Sequence, residues 1–569
     1  MSSRRNQPEQ SEEISGEETE PKAKRSGFDS FRENIEAIVV AVILAVFVRH
    51  FAVEAFEIPT GSMAPTLFGM HVRVESPNTG LSFEVGVPSN SSSGRLRIQM
   101  QNYVVCAEEC PGEGCGLKLH AQKPGGRLFG KTRQLHKEEI ARLNRVFEDL
   151  REQERVECQS CGNQWQTSKQ SFKVTTATMK TMRCPLSGHI WEHVIEDSAR
   201  GGGNKILVNK FAYDLGEPRR WDVIVFAFDQ WKNYIKRLVG LPGEKINLIN
   251  GDVYVNGKIE RKPEHPYIQD ILWKKISDSS VVEGGLSPVR AWKEPGGKGV
   301  PAWQELADGR WSLNSSKSPE PALLEYQRAL DNYIPYNSLA GRPRGTHSVG
   351  DVKLSFTATP TTAGGWIGAE IRDGDWTFQL RLPTGKPTPG RPAVIERVVN
   401  EPRSDVKNPR KLRHPGAPVF QEKEGISLEL NTRSRIEIVN CDDCLVVRLD
   451  SEEIFSIKES EGYISIPDVD NPPPEADHSQ YYLRLLGSRV DANVEAIELH
   501  QDNYYTNDGA GHSHSIQLEK DRFFALGDNS PSSSDGRVWG SVPANNMLGK
   551  ALLVFWPGLP GNFQLRFIR

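Results

Sequence analysis

Asn233-Tyr234-Ile235-Lys236-Arg237-Leu238-Val239-Gly240-Leu241-Pro242-Gly243 places one lysine inside an apolar strand running from Tyr234 to Val239. Far upstream, Ile58-Pro59-Thr60-Gly61-Ser62-Met63-Ala64-Pro65-Thr66-Leu67 presents one serine on a Gly-bounded turn, just after an apolar run. A serine hydroxyl is a poor nucleophile until a nearby base takes its proton, and a lysine amine can be that base if burial lowers its pKa. Ile235 and Leu238 flank Lys236, so a neutral amine becomes accessible near neutral pH. Together the two stretches point to serine chemistry with a lysine base and no histidine. Either one alone reads as an ordinary turn serine or as a strand lysine facing solvent.

Strand patterns surround the lysine segment. They run at Lys205-Ile206-Leu207-Val208-Asn209-Lys210, at Asp222 to Phe228, and at Val253-Tyr254-Val255-Asn256-Gly257-Lys258, whose Asn-Gly suits a tight primed turn. The chain closes on Phe523 to Asn529 and on the strand Ala551 to Trp556. Between these lie two long interruptions. The first, 72–204, holds Ser- and Gly-rich loops and one helical pattern from Gln134 to Arg155. The second, 266–517, carries short alternating strands at 352–356, 376–382, 426–430, 435–439 and 445–449, a spacing that argues for a β-sandwich. The expected fold is mainly β, a catalytic body in three parts (54–71, 205–265 and 518–569) split by a small Cys-containing α+β insertion and a β-sandwich or jelly-roll insertion. Insertions at exposed loops cost little closure entropy.

At 569 residues the chain is too long for one core, and two to four domains are expected. A formal net charge of −4, with no basic stripe or stacking aromatic series, excludes nucleic acid as an expected partner. Residues 1–34 are polar and charged and are expected to be a disordered tail. The apolar run 35–53 is long enough to span a bilayer, with Arg49 near its end able to snorkel. A cleaved signal peptide or a buried core helix are the alternatives, but the polar tail is long for a signal peptide and no small-x-small site directly follows the run. Lys22, Lys24, Arg25 and Arg32 precede the span, which places the tail in the cytoplasm and the rest outside a cell membrane crossed once.

The order of segments resembles type I signal peptidases, the Ser–Lys serine peptidase family. Ile58 to Leu67 after an anchor is similar to that family's serine box, and 206–210 with 222–226 to its strand box. Tyr234 to Gly243 resembles its lysine box, and Gly527-Asp528-Asn529-Ser530-Pro531-Ser532-Ser533-Ser534-Asp535-Gly536-Arg537-Val538-Trp539-Gly540 its C-terminal box. The resemblance covers the anchor and about two hundred residues in four pieces, and neither insertion shares in it.

It implies that Ser62 is the nucleophile and Lys236 the general base and later acid. Thr60, with the Ser62 backbone N–H, would stabilise the oxyanion. Ser533 would orient the lysine amine, Asp535 and Arg537 would form a buried ion pair supporting that serine, and Asp528 would order its loop. Phe56, Ile58, Leu67, Tyr234, Ile235 and Ser534 would line the substrate pocket. An extended substrate presents alternate side chains to one face, which suits an Ala-x-Ala preference. The implied activity is removal of signal peptides from secreted preproteins through an acyl-enzyme, with preproteins and the lipid bilayer as partners and no cofactor for catalysis. Other readings are a self-cleaving Ser–Lys protease and a catalytically silent anchored envelope-binding protein. Trp221 stands where the family usually has Gly, Asn233 where Asp is common, Ser530 where Arg is often found, and Gly536 where Ser is usual.

The eight cysteines are unevenly spaced. Cys158-Gln159-Ser160-Cys161-Gly162 looks like a zinc-ribbon knuckle, and Ser76-Pro77-Asn78-Thr79-Gly80 and Cys184-Pro185-Leu186-Ser187-Gly188 share its frame with ligands replaced. Cys106, Cys110, Cys158 and Cys161 could complete a structural zinc site, with disulfides the equal rival. Cys441-Asp442-Asp443-Cys444 reads as a hairpin turn with or without a local disulfide. The strands around it weakly resemble concanavalin-like jelly rolls, for which envelope carbohydrate or protein is a candidate partner and a bland spacer an equal alternative. His512-Ser513-His514 reads as an exposed loop pair rather than a metal site.

Overall fold

A computed structural model of the chain describes residues 31, 34–41, 53–87, 103–109, 118–122, 156–157, 164–165, 172–173, 177–196, 200–229, 232–262, 274–278, 291–295, 301–306, 309–340, 347–373, 376–399, 420–458, 482–507, 515–556 and 566–568. It forms two units, Met1–Glu54 and Ala55–Arg569. The first holds a helix over 34–41 with Ile35, Ile38, Val39 and Val40 exposed. No helix among the described residues is long and apolar enough to cross a membrane, and residues 42–52 of the expected span 35–53 lie outside them. Nearly all of the tail 1–34, the Gln134–Arg155 helix and the His512-Ser513-His514 loop lie outside them as well.

In the second unit the apolar run at 223–226 becomes the strand Val223–Asp229. It pairs with the lysine strand Lys232–Gly240 on one side and with Met547–Trp556 on the other. Beyond the lysine strand comes Arg522–Leu526, and beyond Met547–Trp556 comes Lys205–Asn209, all antiparallel. Val223 and Val225 pack into one core with Met63, Leu67, Ile206 and Val208, while Ile224 and Phe226 pack into another with Leu238 and Phe523. A central strand covered on both faces needs consecutive rather than alternate apolar residues, and this run has them. The Asn256-Gly257 turn joins Asp252–Val255 to Lys258–Ile259 with φ of 52° and 81°, the two positive values a type I′ turn requires.

Farther on, two antiparallel sheets share one apolar core. One contains Trp311–Asn314, Asp491–Gln501, Val352–Pro360, Ser434–Cys441, Cys444–Leu449 and Glu452–Lys458 in that order; the other contains Ala322–Tyr326, Tyr482–Ser488, Trp366–Asp373, Trp376–Pro383, Ala393–Val399 and Phe420–Lys423. Their shared core includes Leu313, Phe356, Ile438 and Leu499 from the first and Leu324, Ile371, Phe378 and Leu485 from the second. The strand expected at 426–430 does not form. Gly425 turns the chain at a φ of 80°; Leu428 is fully buried in the core and bridges to Thr384, with Ile426 packed partly buried against the same core.

The knuckle frames at Ser76 and Cys184 face one another. Gly80 N–H donates to Ser76 O and Gly188 N–H to Cys184 O, both at 2.9 Å, with the glycines at φ of 65° and 68°. Asn78 donates to Ser187 Oγ at 2.8 Å, and Ser187 N–H lies 3.4 Å from Cys184 Sγ. Burial raises the Cys184 thiol, but hydrogen bonds from Ser187, Ser76 and Thr79 outweigh it and leave the pKa below its ordinary value. The side chains of Cys106, Cys110, Cys158 and Cys161 lie outside the described residues. Cys441 and Cys444 oppose one another across the expected hairpin, and no disulfide joins them.

Candidate active site

The serine turn is held from three sides. Ile58 N–H donates to Asn204 O at 2.8 Å, Leu67 N–H to Met63 O at 2.8 Å, and Asn529 N–H to Ser62 O at 3.0 Å. Met63, Ala64 and Leu67 are fully buried and anchor the turn, leaving Gly61 and Ser62 at the surface of a cavity of about 750 Å³. Gly527 allows this approach, because a side chain there would overlap the Ser62 carbonyl and the Ser533 hydroxyl.

Neighbouring residues on the lysine strand point to opposite faces. Lys236 is 4% exposed, and its Nζ donates to Ser62 Oγ at 2.6 Å. Burial lowers the Lys236 pKa from 10.5 to about 8, Asp535 and Asp528 partly oppose the shift, and Arg537 adds to it. Arg237 is 0% exposed and makes a bidentate pair with Asp528, Nε to Oδ1 and Nη2 to Oδ2, each at 2.7 Å. Thr66 Oγ1 also donates to Asp528, at 2.5 Å. Arg237 Nη1 donates to the carbonyl of Trp221, which sits at a φ of 74°. That left-handed conformation, expensive for a bulky residue, is the physical reason a glycine suits this position.

Asp535 and Arg537 form a buried pair at 2.7 Å. The Asp535 carboxylate also accepts from Gly527 N–H at 2.9 Å, and Arg537 donates to Thr506 and Ser530. Ser530, where the resemblance would place an Arg, accepts from Arg537 Nη1 at 2.8 Å. Ser533 Oγ is buried without a hydrogen-bond partner, so the structure contains no Ser533–Lys236 hydrogen bond.

The cavity is lined by Phe56, Ile58, Thr60, Tyr234, Ile235 and Ser534 among the expected residues. Leu67 is not among them. It is fully buried in the core with Met63 and Ile206, because the turn rotates it away from the cavity. Sequence reasoning missed Arg237 and Asn529, although both stood inside the quoted boxes with charge or amide groups to flag them. It also missed Tyr336 and Asn337, which reach the cavity from the stretch 266–517 and carry no motif.

Among the described residues, Asp351, Cys441, Asp442 and Asp502 bring potential ligand atoms within 4.8 Å of one another. The Lys262 ammonium already donates to Asp442 at 2.7 Å and to Asp502, and so supplies countercharge there. Burial with neighbouring carboxylates raises the Asp351 and Asp502 pKa values, and burial with Asp442 and Asp502 raises the Cys441 thiol.

The signal peptidase family, peptidase S26, matches residues 31–82, 197–285 and 469–556. Signal peptidase I of Bacillus caldolyticus is 42% identical over 82 residues, 14% of this chain and 45% of that protein. Signal peptidase I V of Bacillus subtilis (strain 168) is 38% identical over 85 residues, 15% of this chain and 48% of that protein. The chain thus spans just under half the length of these curated relatives. The resemblance to type I signal peptidases is borne out by these matches, which support a serine peptidase. A carbohydrate binding module from Bacillus subtilis, 10% identical over 36% of this chain and 93% of its own, superposes with a TM-score of 0.21, too low to carry an argument.

Proposed function

We propose that this chain is a membrane-anchored serine endopeptidase that removes signal peptides from secreted preproteins. The observation that carries the reading is the 2.6 Å approach of a buried lysine amine, its pKa lowered to about 8, to the hydroxyl of a serine at the edge of a cavity. Ser62 Oγ attacks the scissile carbonyl while neutral Lys236 takes the hydroxyl proton. The Thr60 hydroxyl and the Ser62 backbone N–H face the developing oxyanion. Lys236 then returns the proton to the leaving amine as the C–N bond breaks, giving an ester of the signal peptide on Ser62. Water, deprotonated by the same amine, hydrolyses that ester and restores the serine.

Ser533 positions the lysine amine once substrate is bound, in keeping with its buried, unpartnered hydroxyl beside the Ser62 turn. The Asp535–Arg537 and Arg237–Asp528 pairs hold the loop and the lysine strand in register. Phe56, Ile58, Ile235 and Ser534 bound the space for an extended substrate with small side chains at alternate positions. Residues 35–53 form a single-pass anchor, with the tail cytoplasmic and the catalytic body outside. The unmatched stretches 83–196 and 286–468 fall within the two insertions into that body, 72–204 and 266–517.

Full-length protein in detergent, given a preprotein with Ala-x-Ala before the cut, tests this. Wild type is expected to release the mature chain, and Ser62→Ala and Lys236→Ala are expected to be silent. Equal cleavage by all three proteins would refute the assignment.

A further inference from the structure

The 3₁₀ turn Pro335–Ala340 arises in a stretch that the peptidase family does not match, yet it closes onto the serine turn. Tyr336 is 7% exposed, and its ring fills the space over both Gly61 and Gly86: a side chain on either glycine would overlap it. Phe68 stacks on the ring at 5.8 Å and 16°, and the Tyr336 hydroxyl donates to Met70 O at 2.9 Å. The next residue makes a reciprocal amide pair. Asn337 Nδ2 donates to Asn529 Oδ1, and Asn529 Nδ2 to Asn337 Oδ1, each at 2.8 Å. Asn529 also reaches the nucleophile turn, with Nδ2 donating to Gly61 O at 2.8 Å and its backbone N–H to Ser62 O at 3.0 Å. Tyr336, Asn337 and Asn529 all line the cavity that holds Ser62 and Lys236.

We infer that the sandwich stretch supplies part of the active site: Tyr336 is a specificity wall beside the nucleophile, and Asn337 is a positioning residue that holds the serine turn through Asn529. The chemistry of the wall defines the substrate it admits. A flat, fixed aromatic ring over two glycines leaves no depth at that end of the cavity, so the peptide residue that meets it must be small. The amide pair acts differently. It fixes the direction of the Gly61 and Ser62 carbonyls, and with them the Ser62 N–H and hydroxyl, before substrate arrives. A misplacement of about 1 Å in such a group is enough to lower turnover about a hundredfold. The peptidase family's own segments hold neither Tyr336 nor Asn337, so these two residues would set this chain's preference apart from its relatives'.

The inference rests on the peptidase reading, and the test separates the two. Full-length wild type, Tyr336→Ala, Tyr336→Phe and Asn337→Ala are assayed on peptides varied in side-chain size at each position flanking the cut, with Ser62→Ala as blank. Tyr336→Ala is expected to raise kcat/KM at least about tenfold for bulky residues at one position, the order of discrimination one filled or emptied pocket gives. Tyr336→Phe, which keeps the ring, is expected to retain the wild-type profile. Asn337→Ala is expected to lower kcat about tenfold, as for the loss of one buried hydrogen-bonding partner, with little change in KM. It is also expected to accelerate hydrogen exchange at the Asn529 amide. An active wild type with unchanged profiles and kcat in the Tyr336→Ala and Asn337→Ala proteins would overturn the inference. If wild type cuts nothing, the peptidase reading fails and the wall falls with it. Unchanged exchange at Asn529 in Asn337→Ala would overturn the positioning role whether or not the protein cleaves peptide.

Discussion

Lys236→Met, read across pH beside wild type, exposes the chemistry and the energetics of the buried amine in one comparison. The amine acts as a base only when neutral. With its pKa lowered from 10.5 to about 8, about a tenth of it is neutral at pH 7 and about a hundredth at pH 6. Wild-type kcat/KM on an Ala-x-Ala peptide is therefore expected to rise about tenfold per unit from pH 6 and to level off above pH 8. Lys236→Met is expected to lack both the rise and the plateau. Folding is affected with a definite sign. A depressed lysine pKa means the unfolded chain binds more protons between the two values, so stability rises with pH from about 8 to 10.5, and the full penalty is present below 8. A shift of this size corresponds to about 3 kcal/mol, which Lys236→Met would recover at pH 7 by placing an apolar group of similar length in the same niche. The assay pairs stopped peptide cleavage with thermal melts at matched pH. An apparent pKa near the ordinary lysine value, or a variant no more stable than wild type at pH 7, would refute the argument that burial tunes this amine.

Three further outcomes follow from the charges and hydroxyls around the site. Arg237→Met strands Asp528 with only Thr66 as a partner, and a broken buried pair of this kind costs about 3–5 kcal/mol, so calorimetry should show a markedly lower transition. Ser533→Ala removes a buried hydroxyl that has no partner, so melts should be unchanged or slightly higher, while kcat falls if the serine positions the amine in the substrate complex. Lys262→Met leaves Asp442 and Asp502 buried without their cation, which should lower the melting transition strongly at pH 7 and less at acid pH, where Asp502, its pKa raised by burial, takes up a proton.

The Lys236–Ser62 contact was legible because both residues sit in local, typed stretches. A lysine between Ile235 and Leu238 and a serine after Gly61 point to one another when read together, though either alone reads as an ordinary strand or turn residue. The Asn256-Gly257 turn and the strands near 352, 376, 435 and 445 were legible for the same reason, since alternation and turn chemistry act over a few residues. The strand expected at 426–430 failed because its inward residues, Ile426 and Leu428, reach the core from a turn-bounded segment that makes one isolated bridge rather than a ladder. Leu67 was misread because position in a box does not say which way a turn rotates a side chain. Tyr336 and Asn337 were invisible because their role depends on contacts across more than 190 positions, between amides that carry no charge and no spacing signal.

In the proposed reaction the buried amine of Lys236 activates the Ser62 hydroxyl to form an acyl-enzyme. Acid quench of full-length protein during preprotein cleavage, followed by mass spectrometry of the peptide containing Ser62, measures this directly. Signal peptide esterified to Ser62 is expected in wild type and none in Lys236→Met. An adduct on another residue, or cleavage that proceeds unchanged in Lys236→Met, would contradict it.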